Sequence, residues 1–430
     1  KKHDQFGGYM NENSRRTAAL IASCAAMFWI GTFVFGLPGV MAPYWQESFG
    51  VGRGAVSQMP LWVMLALGFF MYVSGKYQEI FGHARMAAIG AVIMGLSTTM
   101  LGHYHSIGWV YFWAFTMGVA STFLYIPSLT VVQRWFPHRR GLVTGLVNLI
   151  FGLSASPMSP ILNKMLSSMG PVTMTTIVGL LALITGLVVA PFMRVPDEQL
   201  TQTSSQSSQQ ATLGRSLTVA EALKTRNFWL MWFSWALAGG AGFAMVTLST
   251  LFGLRMGLSM EQAVFILAAY GLMNGLSRII SGYLSDHIGR KATMCTAFLI
   301  GGCAYILMPH LSGVVLWALM AACVAFAFGT LFAVSAAMAT DCFGMKHFGV
   351  IFGLIFTAYG FFAGPLGPWL GGRILDMTQG NFTIVFSYLG GFYLIAGVLI
   401  TFVRAQDDET LEIGFEQESS LEKVYVPIED

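Results

Sequence analysis

The sequence predicts an all-α membrane protein, with twelve transmembrane helices arranged as two pseudo-symmetric six-helix bundles. Three observations carry that prediction. Of the 430 residues, 55% are hydrophobic and only 10% charged, with a mean hydropathy of +0.65, whereas an ordinary soluble domain carries about 25% charged residues. Apolar runs of about 20 residues, the length that crosses ~30 Å of hydrocarbon, recur along the whole chain. The second half of the chain also repeats motifs of the first at a nearly constant spacing, and such a period defines the architecture.

The elements follow in order. The first run, 17–45, is too long and too interrupted by glycine and proline for a cleavable signal, and no small-residue cleavage pattern follows it. Runs at 54–78, 86–103, 107–134, 141–167 and 172–193 complete a first bundle, 17–194, behind an N-terminal segment, 1–16. Residues 195–226 form a linker whose stretch DEQLTQTSSQSSQQAT (197–212) is too polar to pack. Runs at 227–254, 261–284, 292–309, 313–340, 349–375 and 382–403 make a second bundle, 227–404, and 405–430 is an acidic, solvated tail.

The repeat is explicit. GLVNLIFGLSASPMSPIL (145–162) aligns with GLIFTAYGFFAGPLGPWL (353–370), so that Gly145, Gly152, Pro157 and Pro160 match Gly353, Gly360, Pro365 and Pro368 at an offset of 208. GKYQEIFGHAR from Gly75 matches GYLSDHIGRK from Gly282 at an offset of 207. The two halves are therefore parallel copies of one unit.

Charge is sorted by side. Of the 23 Lys and Arg, 18 fall in loops on the side of the N-terminus and 4 on the opposite side. The positive-inside rule then places both termini in the cytoplasm. The net charge of +3 says little about partners, because the charges are sorted by side; no nucleic-acid partner is expected. Cys24, Cys295, Cys303, Cys323 and Cys342 show no paired spacing and read as small apolar packing residues. No cofactor or metal motif is present, nor HExxH or GxSxG, and no nucleophile–base grouping suggests an enzyme.

The one remaining cation is Arg278, inside YGLMNGLSRIISGYLSDHIGRK (270–291). At the centre of a membrane helix an arginine costs about 2.5–3.5 kcal/mol on insertion scales. Arg278 precedes Asp286 by eight residues and so lies ~12 Å from the membrane surface. A stretched side chain reaching water is one reading. Tyr270, Asn274 and Arg278, however, step by four along one helical face, and a polar stripe in a membrane helix faces protein or a hydrated cavity. Arginine is also the side chain best suited to a carboxylate, through two parallel N–H···O bonds. Tyr125, Asn148, Tyr359, Phe33 and Phe332 fall at similar depth in other helices and complete a candidate substrate site, the phenylalanines as its apolar wall.

GYLSDHIGRK resembles the cytoplasmic loop signature of the major facilitator superfamily through Gly282, Asp286, Gly289, Arg290 and Lys291, and the N-terminal copy keeps Glu79 and Arg85 in degraded form. RWFPHRRGLVTG (134–145) resembles that superfamily's link between helices four and five. The resemblance implies two bundles rocking about a central site by alternating access. On its own chemistry, Asp286 closes helix eight where a carboxylate can meet a neighbouring helix's N-terminus and nearby arginines, a conformational latch.

An arginine in helix eight is similar to the monocarboxylate transporter family and to the related oxalate/formate exchangers. The exchangers add a helix-eleven lysine suited to a dianion, which is absent here. In monocarboxylate transporters an aspartate stands four positions before the arginine and a lysine follows a proline in helix one; here those positions are Asn274 and Gly39. The resemblance implies secondary active transport of a small monocarboxylate such as L-lactate or pyruvate, with a proton, across a bacterial inner membrane, by a monomer without obligate protein partner. Exchange of organic anions and a transporter-like nutrient sensor remain open alternatives. No carboxylate falls deep inside a predicted span, so the expected proton carrier of a symporter is missing.

Overall fold

The structure, a computed structural model, describes residues 11–56, 58–196 and 216–405. The expected acidic tail, most of the linker and most of the N-terminal segment therefore lie outside the described residues. The described chain is helical throughout. Ten of its eleven long apolar helices each supply one span, and the eleventh, Pro137–Phe192, is 56 residues long and supplies two. It breaks at Gly170, whose φ of 76° and ψ of 172° are not helical, just before Pro171. Twelve spans result, as the sequence predicts.

They are α1 (Glu12–Phe49), α2 (Met59–Phe81), α3 (His83–Leu101), α4 (Ile107–Trp135), α5 (140–169), α6 (171–189), α7 (Arg226–Arg255), α8 (Met260–Ile288), α9 (Arg290–Leu307), α10 (Val314–Phe343), α11 (Phe348–Met377) and α12 (Phe382–Thr401). Polar caps start several of them by accepting otherwise orphaned backbone N–H groups. Asn11 Oδ1 accepts from Ser14 N at 2.8 Å ahead of α1, and Ser259 and Gln262 form a capping box ahead of α8. α1 and α11 are not uniform. Each widens into π turns, at Thr32–Gly36 in α1 and at Tyr359–Ala363 and Pro365–Trp369 in α11. Pro38, Pro365 and Pro368 lack the N–H that would close the preceding turn, which lets the ladder expand there.

Where the chain ends meet is fixed by contacts. Arg16 stands over the Phe136 ring at 4.0 Å, and Trp135 Nε1 donates to Arg194 O at 2.7 Å, which gathers the start of α1 with the ends of α4 and α6. Asn227 Nδ2 donates to Arg404 O at 2.7 Å and Leu217 N to Phe343 O at 3.0 Å, which gathers the start of α7 with the ends of α12 and α10. Arg134 donates to Met345 O at 3.3 Å across the two groups. Both described termini thus share one face of the molecule.

The repeat reappears in the helix crossings. α5 meets α8 where a Cβ on Gly282 would stand 2.4 Å from Gly141 O, and one on Gly145 would stand 2.2 Å from Arg278 O. α2 meets α11 in the same way: a Cβ on Gly75 would stand 2.1 Å from Gly349 O, and one on Gly353 would stand 2.6 Å from Met71 O. No side chain fits at such distances, so small residues bring these backbones together. The partners correspond at the offsets of 207 and 208 read from sequence, which makes Met71 the counterpart of Arg278.

Candidate functional site

Arg278 lies ten residues inside the end of α8 and is 1% exposed. The other described Lys and Arg in the spans stand within five residues of a helix end. The side chain does not stretch to the surface. Its Nη1 donates to Asn148 O on α5 at 2.9 Å, and its Cζ stands over two rings, Phe332 of α10 at 5.0 Å and Phe151 of α5 at 5.2 Å. Gly152, one turn past Asn148, opens the space: a Cβ there would lie 3.4 Å from Cζ and 3.5 Å from Nε. No carboxylate among the described residues pairs with Arg278, and its Nε is buried without a hydrogen-bond partner.

Aromatic contacts close a ring around the guanidinium. Tyr125 of α4 packs on Phe151 (6.3 Å between centroids) and on Phe356 of α11 (5.6 Å), and Phe356 reaches Phe332 at 5.9 Å. Tyr359 of α11 and Trp235 of α7 extend the wall behind Phe332, at 5.4 Å and 5.0 Å. The cluster therefore sets one buried cation among aromatic side chains. The guanidinium carbon stands over two aromatic rings, and cation–π contacts of this kind are worth about 2 kcal/mol or more when desolvated.

The residues expected from sequence divide by role. Asn148 is buried and beside Arg278, but its amide is already used: Oδ1 accepts from Tyr125 OH at 3.1 Å and Nδ2 donates to Thr144 O at 2.9 Å. It reaches Arg278 through its backbone carbonyl. Asn274, partly buried one turn along α8, has an Oδ1 that is buried and unpartnered. Tyr270, third on that face, spends its hydroxyl on Gly242 O of α7 at 2.8 Å. Tyr125, Phe332 and Tyr359 join the ring. Phe33 is buried and stacks on Trp29 of its own helix at 5.5 Å; no ring contact ties it to the Arg278 cluster among the described residues.

The face that holds the termini carries a polar lock. Asp286 accepts from the backbone N–H of Gly141 at 3.0 Å and of Leu142 at 2.7 Å, so it caps the start of α5. It also forms a short ion pair with Arg290. Arg290 in turn pairs with Asp341 of α10 at 3.2 Å, and Asp341 pairs with Arg140 of α5 at 3.2 Å. Gly282 supplies the crossing with α5, and Gly289, at φ 91°, turns the chain from α8 into α9. In the other copy Glu79 pairs with His347 at 3.2 Å, and Thr340 donates to Gln133 Oε1 at 2.7 Å. Arg85 is exposed and Lys291 half-buried, and neither joins an ion pair among the described residues.

Sequence reasoning missed Phe151, Gly152, Trp235 and Phe356 around the arginine, and Arg140 and Asp341 in the lock. Phe151 could have been found at three residues past Asn148 on the same helix. Gly152 stood in the repeat, where it served only to match Gly360. Trp235 carried no signal among 11 tryptophans in an apolar chain.

Comparison with known proteins agrees with this architecture. The chain is similar to the oxalate:formate antiporter of Oxalobacter formigenes, 26% identical over 76% of this chain and 77% of that protein. It is also similar to monocarboxylate transporter 10 of Danio rerio, 24% identical over 94% of this chain and 83% of that protein. Among solved structures, the Escherichia coli fucose:proton symporter superposes with a TM-score of 0.66 at 13% identity, covering 90% of this chain and 98% of its own. The proton:xylose symporter XylE does so with 0.69 at 13% identity, covering 92% and 97%. At that identity the structural likeness speaks for the fold alone. The Major Facilitator Superfamily profile matches residues 21–364 and 262–426, and the chain, a transporter and not an enzyme, belongs to that superfamily.

Proposed function

We propose that the protein carries small monocarboxylates such as L-lactate or pyruvate across the bacterial inner membrane by alternating access, with Arg278 binding the substrate carboxylate. The observation that supports this most is the arginine itself: buried, without a carboxylate partner among the described residues, and with an orphaned Nε aimed at no protein acceptor. An uncompensated buried charge is costly, and an arriving carboxylate compensates it with two charge-assisted bonds. One cation matches one negative charge, and α11 (Phe348–Met377) holds no lysine that would add a second. Phe332 and Phe151 suit a short alkyl chain. Asn274 orients the acid, while Asn148 and Tyr125 hold Arg278 in place.

Transport is coupled to a proton in this reading, and the lock around Asp286 holds the face bearing the termini, taken as cytoplasmic from the charge asymmetry, closed until the bundles rock. The protein works as a monomer. Exchange of one organic anion for another is the second reading, favoured by the similarity to the oxalate:formate antiporter. Uptake of labelled lactate into proteoliposomes tests both: symport predicts net uptake driven by an inward proton gradient, whereas exchange predicts uptake only with an acid loaded inside. No uptake or exchange of any small acid rejects the monocarboxylate reading.

A further inference from the structure

We propose that Trp235 sets substrate specificity in this site: its indole N–H donates to an oxygen on carbon 2 of the acid, so that 2-hydroxy and 2-oxo acids are held more tightly than plain alkyl acids. The proposal rests on the monocarboxylate reading above. Trp235 is 1% exposed, and its Nε1 is buried with no hydrogen-bond partner. An indole N–H can only donate, so no change of tautomer or amide flip satisfies it, and orphaned buried donors are rare in folded proteins. Other indoles in this chain find acceptors: Trp232 donates to Thr357 Oγ1 at 3.1 Å, Trp229 to Leu223 O at 3.0 Å and Trp317 to Leu311 O at 3.0 Å. Trp113 is orphaned too, but it packs on Trp45 in the first half.

The place of the orphaned donor gives it meaning. The Trp235 ring packs on Phe356 at 4.7 Å, on Phe332 at 5.0 Å and on Tyr359 at 5.9 Å. Phe332 is the ring over which the Arg278 guanidinium stands at 5.0 Å. A single phenylalanine therefore contacts two buried groups that each hold an unsatisfied N–H, Arg278 Nε and Trp235 Nε1. An acid seated on the arginine with its chain along Phe332 turns its second carbon toward α7. A hydroxyl or oxo oxygen there accepts from the indole; a methylene leaves the donor orphaned, and an ammonium faces it with donors only. At the repeat offsets of 208 and 207, Trp235 falls opposite Met27 or Phe28, neither of which is a hydrogen-bond donor, so the first half supplies no equivalent there.

The test is calorimetric binding of propionate, lactate and pyruvate to the purified full-length protein and to Trp235→Phe, which keeps an aromatic side chain and removes the N–H. Wild type is expected to bind lactate and pyruvate about tenfold more tightly than propionate, the scale of one neutral hydrogen bond. Trp235→Phe should lower both to the propionate level and leave propionate unchanged. Equal losses for all three acids, or no change, would mean a packing role and overturn the proposal. Should the variant fail to fold, the wild-type series still decides: equal affinity for propionate and lactate overturns it. Wild type that binds none of the three overturns the monocarboxylate reading as well, whereas binding without preference for a carbon-2 oxygen overturns this inference alone.

Discussion

A guanidinium held by a backbone carbonyl and two phenylalanine faces keeps its position by shape as much as by charge. Lysine has no plane to stack and no fork. Arg278→Lys should therefore retain the charge yet lose at least ~10-fold in lactate affinity, and Arg278→Gln should abolish binding while the protein still inserts, since an intramembrane charge is removed. Binding by the purified variants checks both, and wild-type affinity in Arg278→Gln would reject the site. Gly152 gives an independent handle: its hypothetical Cβ already stands at the contact limit of the guanidinium, at 3.4 Å. Gly152→Val should shift Arg278 and weaken lactate binding by about tenfold, on the scale of one lost contact, without altering the charge. Unchanged affinity would show that the guanidinium tolerates displacement. Arg278 was legible in the sequence because a charge deep in an apolar run is costly and shares a helical face with Tyr270 and Asn274. Asn148 was legible by polarity, but not by role, because only the fold shows that its amide is consumed by Tyr125 and Thr144. Trp235 and Phe356 were not legible, because an aromatic in an apolar helix looks the same whether it faces lipid, another helix or a ligand.

Among the elements, α5 is the hub. Its N-terminus receives Asp286, its Gly141 and Gly145 receive α8, and Asn148, Phe151 and Gly152 shape the arginine's surroundings. A carboxylate at the first turn meets unsatisfied N–H groups and the positive end of the helix dipole, so Asp286 stabilises the contact between α8 and the start of α5. Asp286→Asn loses the charge and should slow lactate transport severalfold, while affinity at Arg278, ~12 Å away along the helix, stays within about twofold. Rates in proteoliposomes together with calorimetric affinities separate the two, and a parallel loss of affinity would place Asp286 in the binding site instead. The sequence showed that these charges cluster but not how they pair. Asp341 looked like a helix-end carboxylate, and only the approach of α5, α9 and α10 makes it the bridge between Arg140 and Arg290. The spans themselves were legible within a few residues, since length and hydropathy fix them. The π turns of α1 and α11 were legible only as the prolines that cause them.

Across the whole molecule, the twofold pattern and the distribution of charge disagree in an informative way. The crossings of α5 with α8 and of α2 with α11 correspond, yet one carries Arg278 where the other carries Met71, so the deeply buried charge belongs to the second half alone. Every described Asp and Glu in the spans lies within three residues of a helix end, and every described histidine lies at a helix end or in a loop. Nothing deep in the spans therefore titrates between about pH 6 and 8, and a small carboxylic acid is fully ionised there. If the proton rides with the substrate, net uptake should rise as the outside is acidified. Exchange of labelled for unlabelled lactate, with equal pH on both sides, should then fall smoothly with the share of protonated acid, about tenfold per pH unit, with no midpoint over that range. An exchange rate with its own titration midpoint in wild type would reveal a protein proton carrier that this arrangement does not contain. Asn274→Asp supplies the contrast, because it sets a carboxylate one turn from Arg278 on the same face. While ionised, that carboxylate competes with lactate for the guanidinium, and once protonated it releases the guanidinium. Binding in Asn274→Asp should therefore weaken as pH rises through the new group's pKa, and return toward wild type as pH falls below it. Exchange by this variant, measured over the same range as wild type, should acquire the midpoint that wild type lacks. The same midpoint-free profile in both proteins would mean that position 274 does not face the substrate's carboxylate.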